Sequence, residues 1–335
     1  MEAQRKNPVA MIAINAVLIL WLVYSVTPFL WTMLNSLKTP REANSRIPVF
    51  PFDPTGDNYA ELWLNNVPDN LPVLGFILLL IIIGLIGVGL LAPRFPIPRV
   101  ATYSGIVAVG GIVVLVIPSL VNTAEFYDYF INSVIVTVGT VVISITIGCL
   151  AGYGLARYRG IIGVVILFAA LAFRALPRMA FVLPYYYLGQ AVGLYDTHLL
   201  LILTLVAVNQ PFTVWMLRSF FMDIPHEVEE AAMIDGCTRL QAFTRVIIPI
   251  MWPGIITTAL FTLLLAYNEF LLARILMQSN WTLPVALSSY TGGEDASQLT
   301  LAAAGSVSIT LPIVFVIIFF QKYLVKGLAF GAVKG

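Results

Sequence analysis

The sequence predicts an all-α polytopic membrane protein with about eight transmembrane helices. Three observations carry that prediction: the scarcity of charge, the length of the apolar runs and the uneven placement of basic residues. Of the 335 residues, 59% are hydrophobic and 10% charged, with a mean hydropathy of +0.92. Roughly 25% charge is usual for a soluble domain, so water could not solvate this surface. The runs are also too long for barrel strands, which cross a bilayer with about 10 alternating residues.

A helix needs about 20 apolar residues to cross roughly 30 Å of hydrocarbon. Eight stretches meet that need, near 10–34, 73–92, 100–120, 132–156, 161–183, 197–217, 253–275 and 300–321. Lipid offers the backbone no partners, so each stretch must be helical. The first follows Arg5-Lys6-Asn7-Pro8. It exceeds a signal-peptide core and lacks a small-residue cleavage site, which makes it an uncleaved span.

Basic residues favour the cytoplasmic side. Of the 18 Lys and Arg residues, an inside N-terminus leaves Lys38, Arg41, Arg46 and Arg274 outside. Arg174 and Arg178 fall in or at the end of a span, and the others lie inside. The opposite topology reverses this balance. Both termini are therefore expected in the cytoplasm of a bacterial-type inner membrane. The expected divisions are 1–34 (N-terminus and first span), 35–72 (a polar periplasmic segment), 73–120 (a helix pair) and 121–335 (the remaining core). The last contains one long cytoplasmic loop, 218–252, and a tail, 322–335.

Composition also excludes functions. A net charge of +1 gives no basis for binding nucleic acid. Cys149 and Cys237 form no disulfide framework, and neither they nor His198 and His226 have metal-ligand spacing. No catalytic residues and no metal site are predicted. There is no phosphate-binding Gly-rich loop ending in Gly-Lys-Ser/Thr. If ATP is used, a partner must bind it.

The loop 218–252 has its own punctuation. Pro225 suits a first helical turn, and Glu227, Glu229 and Glu230 stand where the helix dipole favours negative charge. Gly236 is placed to end that helix in a left-handed conformation. A second helix is expected from Thr238, with Leu240, Phe243, Val246 and Ile247 at helical spacing. Pro249 and Pro253-Gly254 mark the return to the membrane. Ala231 and Ala232 suggest a smooth face that another protein can approach. An ordinary interfacial helical hairpin has the same features.

The spacing from Glu230-Ala231-Ala232 through Gly236 to Val246-Ile247-Ile248-Pro249 resembles the EAA loop of ABC importer permeases. In that family the loop is a coupling helix seated in a cytoplasmic ATPase. The resemblance implies coupling roles for Glu230, Ala231, Ala232, Asp235, Gly236 and Pro249. Further stretches resemble the maltose-type carbohydrate branch. They are Gly193-Leu194-Tyr195-Asp196-Thr197, Trp215 to Phe221, Tyr267-Asn268-Glu269-Phe270 and the ending from Lys326 to Gly335. The resemblance covers the first span and about 120–335, and fails over roughly 70–120. It implies a type I importer core of six spans, with the pair in 73–120 inserted. It implies ATP and Mg in partner subunits, none in this chain. The implied partners are a second permease, two ATPase subunits and an extracytoplasmic solute-binding protein, all beside membrane lipid. The tail residues Lys334 and Gly335 are expected to touch the ATPase.

Ionisable groups within spans are costly and mark paths or pairs. Arg174, Tyr267, Asn268 and Glu269 are candidates to line the substrate path. Arg174 and Glu269 are equally able to pair structurally. Arg178 departs from the family pattern and lies nearer the outer end. Tyr185-Tyr186-Tyr187 matches an interfacial aromatic belt. Gly139, Gly148, Gly152 and Gly154 suggest close helix packing. The expected activity is ATP-coupled import of a sugar or sugar-like solute by alternating access. Rival readings are an ion-coupled secondary transporter, an ABC permease for a non-sugar solute, and an intramembrane enzyme. The first lacks carboxylates other than Glu269, and the last lacks paired catalytic groups.

Overall fold

The computed structural model describes residues 8–45, 47, 49–65, 75, 80, 83–84, 87, 99–158, 160–291 and 296–332. Almost all of the predicted span 73–92, and the tail residues Lys334 and Gly335, lie outside these. Among the described residues the regular structure is helical, apart from one isolated bridge between Leu64 and Thr123. Four helices among the described residues are long and apolar enough to cross a membrane, or six if each of two bent pairs counts as one span.

Two compact units make up the fold. The first comprises Met1–Tyr127 and Gly293–Val307. Its helices are α1 (Pro8–Ser36), α2 (Pro40–Ala43), α3 (Asp57–Trp63) and α4 (Arg99–Leu120). Within α1, Thr27 and Thr32 return their hydroxyl protons to the carbonyls of Val23 and Pro28. An apolar helix can thus carry hydroxyls without exposing unpaired donors to lipid. Within the segment 35–72, expected to be polar, the described residues include buried polar groups with specific partners. Lys38 is 1% exposed, and its ammonium sits 5.3, 4.3 and 5.0 Å from the ring centres of Trp31, Phe50 and Phe52. Ring faces replace part of the lost hydration. Asn58 bridges the carbonyls of Ser36 and Lys38 at 2.8 and 2.9 Å.

The second unit comprises Asp128–Gly292 and Ser308–Gly335. It contains most of α5 (Glu125–Arg157), then α6 (Ile161–Arg174), α7 (Arg178–Ala191) and α8 (His198–Met222). There follow α9 (His226–Ile234), α10 (Arg239–Ile250), α11 (Trp252–Tyr267), α12 (Leu271–Leu276), α13 (Leu283–Tyr290) and much of α14 (Ala296–Ala332). The middle of α10, Phe243–Ile247, is a π turn.

The predicted spans 161–183 and 253–275 are both interrupted, the first at Pro177, one of the residues expected to break it. α6 and α7 meet at a 92° elbow. Pro177 explains it, because its ring and missing N–H bar continuation of α6. α11 ends at Tyr267, where Asn268 folds its amide back to the Leu264 carbonyl at 2.9 Å, and α12 restarts after Phe270. A further bend of 74° separates α10 from α11.

Two buried clusters hold this unit. One joins Val136, Val182, Leu201, Leu205, Leu272 and Leu276 across α5, α7, α8 and α12. The other joins Cys149, Leu217, Phe221, Phe243, Ile247 and Ile255 across α5, α8, α10 and α11. Lipid tails are as apolar as leucine, so fit and contact stabilise these clusters more than exclusion of water does. Small residues make the fit possible at Gly139, Gly148 and Gly152, as expected, but not at Gly154, where a Cβ would meet nothing within 4 Å. A Cβ on Gly152 would lie 3.0 Å from the Arg218 backbone nitrogen and 3.1 Å from the Leu217 Cβ. α5 and α8 therefore touch backbone to backbone.

Candidate functional site: the helix–Gly–helix loop and the elbow cavity

The loop between α8 and α11 folds as the sequence predicts. α9 begins directly after Pro225, with Glu227 and Glu229 in its first turn. Gly236 has φ +90°, a conformation strained for any residue with a Cβ. Thr238 then starts α10 with a capping box, exchanging hydrogen bonds with Gln241 at 2.9 and 3.3 Å. The reciprocal bonds satisfy donors that helix ends otherwise leave open.

Exposure divides the expected coupling residues. Glu230, Ala231, Asp235, Gly236 and Pro249 are exposed. Ile234 and Leu240 flank them at 86% and 68% exposure. Ala232 corrects the expectation of a smooth outer face at both alanines: it is 6% exposed and packs inward. One turn of helix shows one face, and adjacent residues point about 100° apart.

That same rotation separates the two glutamates. Glu230 faces out, while Glu229 turns in toward α5. Its carboxylate accepts from Arg157 Nε at 3.1 Å and, through a short hydrogen bond, from the Tyr153 hydroxyl. Both members of the ion pair are largely buried, at 14% and 13% side-chain exposure. Arg157 also donates to the carbonyls of Phe221 and Ile224, at 3.4 and 3.2 Å. The Phe221 carbonyl lies in the last turn of α8, where helical partners run out, and the Ile224 carbonyl lies in the link to α9. Tyr153 packs its ring against Phe221 and Phe243. Sequence reasoning gave Glu229 and Phe243 parts only in forming the loop helices, and gave Tyr153 none. Tyr153 and Arg157 stand at i and i+4 on α5, the spacing that puts a phenol and a guanidinium on one face.

At the elbow, Arg174 and Glu269, which the sequence left free either to pair or to line a path, do not pair. Glu269 pairs with Arg178, and its other oxygen accepts from the Leu272 backbone at 3.2 Å, capping α12. The elbow decides this: Arg174 ends α6 and Arg178 begins α7, so one turn of sequence becomes a change of direction. Arg178 occupies a helix N-terminus, where a cation is disfavoured, and the carboxylate offsets that. The Arg174 guanidinium instead lies 4.6 Å from the centre of the Phe212 ring.

Arg174 lines a cavity of about 370 Å³ with Phe173, Phe181, Tyr185, Ala207 and Pro211, among others. Pro211 has no N–H, so the Ala207 carbonyl lacks its helical donor. Of the four expected path residues, only Arg174 lines this cavity. Tyr267 is buried and donates to the Ile309 carbonyl at 3.0 Å, Asn268 is exposed at its helix end, and Glu269 is 3% exposed in its pair.

A third construction explains the Gly-Leu-Tyr-Asp-Thr run. Asp196 adopts φ +60°, and its carboxylate accepts from the backbone of Gln278, Ser279 and Asn280 at 2.7, 3.1 and 3.4 Å. Burial raises its pKa, and the hydrogen bonds from Ser279, Gln278 and Asn280 outweigh this, holding the carboxyl below its usual range. Nearby, Asn132 of α5 donates to the Trp281 carbonyl at 3.0 Å. Ser133 accepts from the Leu283 backbone at 2.7 Å. The α12–α13 connection is thus bonded to α5 and to the α7–α8 turn.

The chain is similar to known proteins. Residues 144–330 match the family described as binding-protein-dependent transport system inner membrane component. The trehalose transport system permease protein SugB of Mycobacterium tuberculosis is 37% identical over 63% of this chain and 78% of its own. The diacetylchitobiose uptake system permease protein DasC of Streptomyces coelicolor is 36% identical over 63% and 77%. The sulfoquinovosyl glycerol transport system permease protein SmoH of Agrobacterium fabrum is 34% identical over 65% and 79%. A solved bacterial ABC transporter involved in import of the acidic polysaccharide alginate has a chain of the same fold. Its TM-score is 0.66 at 18% identity, over 96% of this chain and 99% of that one. The family match takes in the loop, the elbow and the clusters that hold them, so this chain belongs to the binding-protein-dependent transport system inner membrane components, as a multi-pass permease subunit that is not itself an enzyme.

Proposed function

We propose that this chain imports a sugar or sugar-like solute as one of two permease subunits, with two ATPase subunits holding ATP and Mg, and an extracytoplasmic binding protein delivering the solute. The observation that carries this reading is the outward face of α9. Glu230, Ala231 and Asp235, beside the exposed Ile234 and Leu240, form a small apolar patch rimmed by carboxylates, ending at the Gly236 turn. Such a patch suits a cleft in a partner. The names of the relatives, which concern trehalose, diacetylchitobiose and sulfoquinovosyl glycerol, support a carbohydrate-like solute.

Binding-protein delivery requires the two sides of the membrane to differ in role. The distribution of basic residues supports both termini and the loop 218–252 in the cytoplasm. The elbow cavity supplies what a polyhydroxy solute needs. Arg174 and the Tyr185 hydroxyl donate, the Ala207 carbonyl accepts, and Phe173 and Phe181 offer ring faces. Its size falls in the usual range for small-molecule sites. Asn268, exposed at the α11 end, is proposed to extend the path, with the buried Glu269 and Tyr267 holding the backbone beside it. Lys334 and Gly335 are proposed to touch the ATPase. The pair within 73–120 is proposed as an addition to a six-span core. Solute moves when the spans rock between two states of different affinity.

The test is purification of the chain from its native membrane in mild detergent, with co-purifying proteins identified by mass. We expect a second polytopic subunit and a phosphate-loop ATPase in fixed ratio. Recovery of the chain alone, or with copies of itself only, overturns the reading and leaves an ion-coupled transporter.

A further inference from the structure

We propose that Glu229, Arg157 and Tyr153 form the joint through which displacement of the α9–α10 loop reaches α5, and hence the opposite end of the second unit. The inference rests on the reading of α9 as the helix that meets the ATPase. A covalent connection alone would let α9 swing, because Pro225 and Gly236 bracket it with non-helical backbone. What prevents swinging is lateral. Glu229 is held by a guanidinium and a phenol from a neighbouring helix, not from its own. Arg157 in turn grips the carbonyl of Phe221 in the last turn of α8 and that of Ile224 in the link to α9. Three helices therefore converge on one guanidinium. Its planar fork fixes direction as well as distance, which a push requires.

The rod that receives the push is unbroken. α5 has 33 residues and no proline, a length of about 50 Å at 1.5 Å per residue. Gly152 seats it against the α8 backbone one turn from the joint, so it cannot slide independently there. Its other end carries Asn132 and Ser133, bonded to Trp281 and Leu283 in the α12–α13 connection. His198, at the start of α8, shares the Asn132 side chain at 2.8 Å. Motion at Glu229 thus has a continuous bonded route to the α12–α13 connection. The adjacent Glu230 has no part in it and is left for the partner.

The experiment uses the whole transporter, reconstituted in vesicles with its ATPase and binding-protein partners. Solute moved per ATP hydrolysed, ATP hydrolysis itself and subunit ratio are measured together. Glu229→Gln keeps the shape and removes the charge. Tyr153→Phe removes only a hydroxyl and guards against a folding defect. We expect both to keep the normal subunit ratio and to hydrolyse ATP, while solute moved per ATP falls at least about fivefold for Glu229→Gln, the low end of site-to-site coupling. A smaller fall is expected for Tyr153→Phe. Glu230→Gln and Gly236→Val serve as the comparison, and should weaken retention of the ATPase. If those two lower retention while Glu229→Gln and Tyr153→Phe leave transport per ATP unchanged, the joint is wrong and the docking reading stands. If all four leave retention and coupling normal, the docking reading itself fails. If Glu229→Gln and Tyr153→Phe reduce transport only in proportion to lost subunits, both residues are structural and the inference is overturned.

Discussion

A single guanidinium at membrane depth is costly, and this chain places two of them one turn apart in sequence. Arg174 resolves the cost with an aromatic face and Arg178 with a carboxylate. The Arg178–Glu269 pair is unequal, with 42% of the first side chain exposed and 2% of the second. Removing the exposed member therefore strands the buried one. Arg178→Ala should destabilise the purified complex by about 3 kcal/mol, the lower end of the range for breaking a buried pair. Adding Glu269→Gln should recover much of that loss, because a neutral amide tolerates burial better than a lone carboxylate. Thermal unfolding of wild type, both singles and the double closes the cycle. Strictly additive losses would show that the pair carries no stabilising interaction.

Helices are where the sequence spoke most clearly, and where its silence had identifiable causes. Apolar length alone located α1, α5, α8 and α14. Gly236 announced its turn because only one conformation suits that position, and the +90° φ bears it out. Breaks were harder. Pro177 was visible, but a proline tolerates either a kink or a stop, and tertiary packing chose a 92° stop. Partner choice was harder still. Glu229 and Glu230 are chemically identical neighbours, and which one faces α5 depends on the rotation of α9. That rotation is set by Ala232 packing inward, a fact of assembly rather than of local sequence. Arg174, and not Arg178, was the candidate partner of Glu269 from sequence; which of the two faces the carboxylate depends on the direction α7 takes after the elbow.

Contact between elements can be tested with glycines that differ only in what surrounds them. A side chain on Gly152 would meet the α8 backbone, whereas one on Gly154 would meet nothing within 4 Å. Gly152→Val should separate α5 from α8 and lower the thermal stability of the complex by at least about 1–3 kcal/mol, the usual cost of overpacking. Gly154→Ala should be neutral or slightly stabilising, since alanine is the better helix former. Equal effects from the two substitutions would contradict the close α5–α8 contact.

The molecule as a whole has a built-in reporter of its orientation. Cys149 is buried in α5, while Cys237 lies partly exposed immediately after the Gly236 turn. A membrane-impermeant maleimide should label Cys237 in inside-out vesicles and leave right-side-out vesicles unlabelled. The reverse pattern would place the loop 218–252 outside and remove the basis for an ATPase beneath it. Docked ATPase should shield the same thiol, so stripping peripheral subunits should raise its labelling.

The π turn at Phe243–Ile247 has a meaning beyond its geometry. Such a turn holds one more residue than the α-helix around it, absorbed locally as a bulge so that the flanking segments keep their faces. The stretch between the Gly236 turn and α11 therefore contains slack of one residue. Elsewhere in these helices a deletion would rotate everything beyond it by about 100° and carry buried side chains out into lipid. Here the chain can shorten by one while the loop keeps its face. If the loop is where an ATPase docks, the contact lies beside the stretch in which an error of length is most easily forgiven.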